Sequence, residues 1–162
     1  MKRIAIVTCA FVICIAIGAA PEARAKEQWD KAQPDLQKIG VELVVCKDYP
    51  EQLICLGLGC ASGAFELISI RSASGAFTED VQLSAGGKTF DVRFSDHDPK
   101  IMEVVGTSGS RAKVSSNLVD AIAASRKVTI RDPKADGFTE SYLTKGLKAL
   151  LQDPKGSCAA VR

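Results

Sequence analysis

The sequence predicts an α+β, mainly β fold: a single domain with an antiparallel, sandwich-like meander of strands, two short C-terminal helices and disulfide cross-links. Three observations predict this class. Short β-rich runs alternate with turn signals from residue 41 onward, and helical periodicity appears only after residue 115. Four cysteines also remain once an apolar N-terminal segment is set aside. The sequence lacks the regular strand and helix alternation that is typical of a parallel sheet.

Residues 1–25 have the three parts of a secretory signal peptide. Met1-Lys2-Arg3 is a positive start, residues 4–18 form a nearly unbroken apolar run, and Ala23-Arg24-Ala25 is a small-x-small cleavage signal. The apolar run has 15 residues, fewer than the ~20 that span a bilayer as a helix. We therefore expect cleavage after Ala25, a mature domain of residues 26–162 without a stable membrane span, and a periplasmic or secreted location.

The mature chain is predicted to be electrically neutral. The full sequence carries 21 basic and 19 acidic residues, and the leader removes Lys2, Arg3, Arg24 and Glu22, which leaves 18 of each. Nucleic acids and anionic membranes are usually bound through a basic patch. The neutral balance therefore predicts that the protein binds neither.

The first β-rich segment predicts a hairpin. Residues 41–46 and 53–56 are β-rich runs on either side of Asp48-Tyr49-Pro50, which has turn chemistry. If the turn centres on Pro50-Glu51, Cys46 lies opposite Cys55. Directly opposed residues in a non-hydrogen-bonded pair are close enough for a disulfide.

A second hairpin follows after a glycine-rich interruption. Residues 57–63 contain three glycines and are expected to break the strand pattern before residues 65–70 resume it. Alternating apolar residues then flank Gly86-Gly87, and folding about these glycines sets Leu83 against Phe90 and Val81 against Val92. Both apolar sets thus share one face, so the turn and the register agree.

The remaining chain is predicted to contain strands and late helices. Residues 26–39 form a lead-in with at most a short helix, residues 101–105 are a strand candidate, and residues 106–110 are a turn. Ser115-Ser116-Asn117 offers caps for a helix over residues 118–125, where apolar side chains recur at i, i+4.

The C-terminal end is predicted to add two strands and a helix. The strands cover residues 127–131 and 138–142. Thr144 is expected to cap the helix, and Pro154 ends it. Its apolar stripe would consist of Leu143, Leu147, Leu150 and Leu151.

The cysteines are predicted to form structural disulfides. Cys9 and Cys14 leave with the leader, and the mature chain keeps Cys46, Cys55, Cys60 and Cys158. Four thiols allow three pairings. We favour Cys46 with Cys55 across the hairpin, and Cys60 with Cys158, which would tie the C-terminal end to the sheet. A redox or zinc site is the rival interpretation, but the sequence has no C-x-x-C motif and its single histidine is far from these cysteines.

One cluster has catalytic residue types: Asp96, His97 and Asp98 could bind a metal or, with a distant serine, supply a base. Their position after a strand and before Pro99 favours a solvated turn instead. Asp132, Asp136 and Glu140 suggest calcium, but the EF-hand order of ligands is absent and a charged surface loop is favoured. We assign no catalytic, cofactor-binding or metal-binding residue and predict no cofactor.

The C-terminal third carries a family resemblance. A short helix over residues 118–125, the strand Lys127-Val128-Thr129-Ile130, a loop ending in Gly137-Phe138 and the helix Gly146-Leu147-Lys148-Ala149-Leu150 follow one another. This order resembles the end of the invasion-associated locus B family, small exported proteins of alphaproteobacteria. The resemblance implies a periplasmic β-rich domain, associated with the cell envelope or host interaction, that has no defined catalytic site.

Three classes of function stay open. The first is an exported non-enzymatic protein that binds a protein or a cell-envelope component. The second is a small hydrolase or metal-dependent enzyme centred on His97, which requires His97 to lie in a cleft near a serine or carboxylate. The third is a secreted hydrolase inhibitor with a rigid exposed loop near residues 55–63. We favour the first, because the sequence offers no convincing catalytic constellation.

Overall fold

The computed structural model describes residues 27–49, 52–60, 63–71, 79–95, 97–134, 139–156 and 158–161. Within these ranges the chain forms nine strands, four α-helices and a 3-10 turn at Ala159–Val161. The strands are β1 (Asp30–Lys31), β2 (Leu43–Tyr49), β3 (Gln52–Gly59), β4 (Phe65–Arg71), β5 (Glu79–Ala85), β6 (Lys88–Phe94), β7 (Ser108–Val114), β8 (Lys127–Arg131) and β9 (Thr139–Leu143). The helices are α1 (Pro34–Lys38), α2 (Pro99–Val105), α3 (Ser116–Ala124) and α4 (Leu147–Gln152).

The strands form two antiparallel sheets, which confirms the mainly β class. Sheet A has the strand order β1-β2-β3-β4-β7, and sheet B has the order β6-β5-β8-β9. Beyond the end of β6 the chain continues onto the edge of sheet A, where the Ser95 amide donates to the Arg111 carbonyl at 2.7 Å. The two sheets are therefore joined at this edge by backbone hydrogen bonds.

The main core lies between the two sheets. In the strands other than β1, alternate residues point inward and most are almost completely buried, among them Leu56, Leu67, Leu83 and Ile130. This alternation is the expected signature of a sheet with one face on a core. Helices α3 and α4 add side chains to the same core, namely Leu118, Val119, Ile122, Leu147 and Leu151.

A second apolar layer covers the outer face of sheet A. Ile68 and Ile70 of β4 pack there with Ile101 of α2, and Leu36 of α1 lies against the same cluster. Ile101 is completely buried, and Gly109 of β7 provides the space for it. A Cβ at Gly109 would lie 2.4 Å from Ile101 Cγ2.

Both predicted hairpins are confirmed. In β2 and β3, Cys46 pairs with Cys55. In β5 and β6, Leu83 pairs with Phe90 and Val81 with Val92. The connecting glycines have φ values of 57° and 76°, which the two-residue turn of a hairpin requires.

The predictions for residues 101–105 and 106–110 are wrong. The first segment belongs to α2, because Pro99 opens the helix, Asp98 caps it and Gly106 closes it with φ 71°. The predicted turn instead contains the start of β7, which pairs along its whole length with β4. Apolar, β-branched composition suggested a strand, but the capping residues on both sides favour the helix.

Three further expectations are corrected. Strand β3 does not break at its glycines, since a Cβ at Gly59 would lie 2.5 Å from the Gly40 carbonyl oxygen and the missing side chain allows this contact. The last helix is capped at Gly146 rather than Thr144, whose hydroxyl donates to the Ser125 carbonyl. Leu143 belongs to β9 and is exposed, so it is not part of that helix.

Candidate functional site

The four cysteines form two disulfides in the pairing that the sequence favours. Cys46 is bonded to Cys55 across the first hairpin, with their Cα atoms 4.0 Å apart. Cys60 is bonded to Cys158 over a sequence separation of 98, which ties the C-terminal end to the end of β3. Bonded cysteines neither ligate zinc nor act as free nucleophiles. The two disulfides indicate an oxidising environment.

The histidine cluster does not form a site in the described structure. His97 is exposed and has neither a hydrogen bond nor an ion pair with any described residue. Asp98 caps α2, where its Oδ1 accepts the Lys100 amide at 2.9 Å. Asp96 lies outside the described residues. The requirement of a cleft with a partner for His97 is therefore not met.

The Asp98 carboxylate forms an ion pair with the Arg111 guanidinium group. Its Nε donates to Asp98, its Nη2 donates to the Ile39 carbonyl, and its Nη1 lies 3.4 Å from Glu66 Oε2. Partial burial would raise the pKa of Asp98, but the hydrogen bonds from Arg111 and from the Lys100 amide, together with the Arg111 charge, hold it below its ordinary value. Asp98 is thus a structural carboxylate that joins α2 to β7.

A buried ionic cluster lies between the sheets and was missed by the sequence argument. Glu140 of β9, expected in a surface loop, is 5 % exposed. Lys47 Nζ lies 2.5 Å from its Oε1, and Arg71 Nη2 lies 4.0 Å from its Oε2. Lys47 Nζ also sits 5.3 Å from the centre of the Tyr142 ring. Glu140 shares a strand face with Tyr142, and this two-residue spacing was the signal that could have predicted its burial. Of the other two acids in that group, Asp132 is half-buried and Asp136 is outside the described residues.

None of the described helices packs over the outer face of sheet B, which presents mainly polar side chains. We call it the polar face and define it by alternate residues of four strands. All are exposed except two that are partly buried, Thr129 and Ser141. Its members are Asp80, Gln82 and Ser84 on β5, Thr89, Asp91 and Arg93 on β6, Lys127, Thr129 and Arg131 on β8, and Thr139, Ser141 and Leu143 on β9.

Strand register aligns the hydroxyl groups of the polar face into one row. Thr89, Ser84, Thr129 and Ser141 are successive cross-strand partners over the whole width of the sheet. Ser84 Oγ and Thr89 Oγ1 are 3.4 Å apart, and Thr129 Oγ1 and Ser141 Oγ are 2.9 Å apart. Each pair uses one O–H as donor, so the second O–H of each pair remains able to bind a ligand.

The neighbouring row carries charges that are not neutralised by one another. Asp91, Gln82 and Arg131 are successive partners on three strands. With ~4.8 Å between strands, the Cα atoms of Asp91 and Arg131 are about 10 Å apart, and Gln82 lies between them. Neither side chain has a hydrogen bond or ion pair with any described residue.

Two other charged residues of the polar face, Arg93 and Asp80, form an ion pair with each other. Arg93 donates two hydrogen bonds to Asp80, at 2.6 and 2.8 Å. The hydrogen bond from Arg93 is the main reason that the pKa of Asp80 lies below its ordinary value. This bidentate pair resembles the fork geometry in which a guanidinium group recognises a carboxylate.

Two grooves border the polar face. One of about 900 Å³ lies along β6, where Asp91 and Arg93 face Glu66, Arg111 and Lys113 of sheet A. The other, of about 330 Å³, lies at the turn between β5 and β6. Its lining includes Ser84, Arg126, Lys127 and Thr129. A ligand on the polar face would have one depression along its β6 edge and another at the β5–β6 turn.

Neither a metal-binding cluster nor a membrane-spanning helix is found among the described residues. They contain no group of three or more His, Cys, Asp and Glu residues that could hold a metal ion. None of their helices combines the length and the apolar composition needed to cross a bilayer. Comparison with known proteins finds no matching family model, no matching curated protein and no matching solved structure.

Proposed function

We propose that this protein is an exported, non-enzymatic binding protein that contacts a component of the cell envelope or of a host through its polar face. The observation that carries the proposal is the difference between the two sheets. Helices α1 and α2 bury the outer face of sheet A, whereas the outer face of sheet B exposes a hydroxyl row beside Asp91 and Arg131, whose side chains have no partner among the described residues. Ordered polar groups on a rigid sheet bind a ligand with little loss of conformational entropy.

Three features of the sequence support export. The leader pattern of residues 1–25, the disulfide-bonded cysteines and the C-terminal resemblance to the invasion-associated locus B family each favour a periplasmic or secreted protein. The alternative of an enzyme centred on His97 has no support from the exposed position of that side chain. The inhibitor alternative depends on a loop that includes residues 61–62, outside the described part of the chain.

Export is tested by expressing the full chain in a bacterium with a periplasm. Intact mass and thiol labelling of the exported protein should show a chain that begins at Lys26, with its four cysteines unreactive until a reductant is added. Recovery of the full chain in the cytoplasm with reactive thiols would contradict export.

The binding role is tested by photocrosslinking in cells. A photoreactive phenylalanine analogue replaces Gln82 at the centre of the polar face and, as the matched control, Lys100 on α2 of the helix-covered side. The expected result is a discrete crosslinked product from position 82 that is absent from position 100. No product from position 82, or equal yields from both positions, would overturn the proposal.

A further inference from the structure

The β8 side of the polar face carries an excess of positive charge. Lys127 and Arg131 lie on β8, and Arg126 lies immediately before it; we call these three residues the basic strip. All three are exposed, and their side chains make no hydrogen bond or ion pair with any described residue. Asp132, next in the chain, directs its carboxylate to the Lys134 amide at 2.9 Å. The strip is therefore available to an anionic ligand.

Hydroxyl groups lie beside the basic strip at regular positions. Thr129 lies between Lys127 and Arg131 on the same strand face, and its two cross-strand partners are Ser84 and Ser141. The cationic residues of β8 are four positions apart, about 13 Å along an extended strand. A ligand that spans them must present separated negative charges with hydrogen-bonding groups between them.

The groove at the turn extends this surface. Arg126 and Lys127 line it together with Ser84 and Thr129, so the hydroxyl row leads into a depression with two cations. The glycine turn at residues 86–87 forms another part of its wall. The absence of side chains at that turn leaves the groove open to a chain passing across the end of the sheet.

We infer that the basic strip and the hydroxyl row bind an extended acidic polysaccharide, a chain of sugar units that bear hydroxyl and carboxylate groups. The inference rests on the proposed binding function and names the chemical class of its ligand. Guanidinium and ammonium groups bind the carboxylates, and the Ser and Thr hydroxyls exchange hydrogen bonds with those of the sugars. A protein surface would supply fewer hydroxyls, and a polyanion without hydroxyls would leave the row unused.

The test measures binding of the full exported chain to polygalacturonate at about 10 mM salt, where surface charges are weakly screened. Dextran serves as the neutral polysaccharide and polyglutamate as a carboxylate polymer without hydroxyls. Polygalacturonate is expected to bind at least about tenfold more tightly than either. Lys127→Gln/Arg131→Gln is expected to weaken that binding about tenfold, as two surface ion pairs allow. Thr129→Val should weaken it severalfold.

The matched control is Lys100→Gln/Lys148→Gln, which removes the same charge from two exposed positions away from the polar face. It should change the affinity less than about twofold, and a thermal melt of each variant verifies folding.

Absence of binding to polygalacturonate, equal effects of the two double variants, or equal affinity for polyglutamate would overturn the inference. Crosslinking from position 82 in cells without binding to polygalacturonate would reject the polysaccharide and retain the proposed function. Failure of both experiments would reject both.

Discussion

Arg111 connects three elements through a single side chain. Its guanidinium bonds to Asp98 at the start of α2 and to the Ile39 carbonyl at the end of α1, and it lies beside Glu66 of β4. Because Asp98 also caps α2, one carboxylate stabilises a helix end and a contact between elements. Asp98, which the sequence suggested as a candidate site residue, therefore has a structural role.

The variant Asp98→Asn removes the negative charge of Asp98 but keeps the helix cap, because asparagine also caps helices well. The pKa of Asp98 is lowered in the folded state. Its charge therefore stabilises the fold above about pH 4, and this contribution is lost as the pH falls through the folded-state pKa. In urea unfolding the variant should be less stable than the wild type by about 1 to 2 kcal/mol at pH 7, with a smaller difference at pH 2.5. A difference that does not change with pH would contradict this. Asp91→Asn, at an exposed position, should stay within about 0.5 kcal/mol.

The pair of Lys47 and Glu140 should couple strongly, because both side chains are largely removed from water. Removing one partner from a buried pair leaves an uncompensated charge and costs about 3 kcal/mol. Lys47→Met and Glu140→Gln should each destabilise the protein by about that amount, and the double variant by clearly less than their sum. The exposed pair of Lys31 and Asp153 is the control, with an expected coupling below about 1 kcal/mol. Additive effects at Lys47 and Glu140 would show that the buried pair does not act as a unit.

At the scale of elements, the short helix α2 is stabilised by its caps and by the contact of Ile101 with sheet A. Helix α2 has seven residues and is too short to be stable alone in water. Ile101 is its buried residue, inserted over Gly109 of β7, while Met102 is about half exposed. The helix thus depends on its caps and on the missing side chain of one strand glycine.

Gly109→Ala should displace α2 from sheet A. The new methyl group would lie within 2.5 Å of two Ile101 carbons, so helix or strand must shift, at a cost of about 1 to 3 kcal/mol. Adding Ile101→Ala removes the colliding atoms, and the double variant should lose less stability than the two single changes added together. Chemical denaturation of the four proteins measures this coupling. Strict additivity would show that Gly109 and Ile101 do not compete for the same space.

At the scale of the whole molecule, the two disulfides differ in what they constrain. The bond from Cys46 to Cys55 closes a hairpin that is already paired, at a sequence separation of 9. The bond from Cys60 to Cys158 spans a separation of 98 and encloses all of sheet B together with β4 and β7 of sheet A. In the chain-entropy model the longer loop restricts the unfolded chain more.

Replacing Cys60 and Cys158 together by alanine should therefore lower the free energy of unfolding by about 4 to 5 kcal/mol, against about 2 to 3 kcal/mol for the Cys46 and Cys55 pair. Urea titration of both double variants under oxidising conditions makes the comparison. An equal or reversed order would show that native-state packing, rather than loop length, sets the contribution of each bond.

Several features of the fold follow from short stretches of sequence. The register of the second hairpin follows from alternating apolar residues on either side of Gly86-Gly87, and the cap of α3 follows from Ser115. The bond between Cys46 and Cys55 follows from their symmetric distances to one turn. Turn chemistry and alternation act over a few residues, so the printed sequence contains all the information that these features need.

Tertiary structure alone decided which distant residues became neighbours. Local pattern did not show that Gly109 leaves room for Ile101, or that Lys47 reaches Glu140 across 93 positions of sequence. The hydroxyl row of the polar face likewise exists only because β5 pairs with both β6 and β8. The order of strands in a sheet depends on the free energy of packing the whole core, and no single segment encodes it.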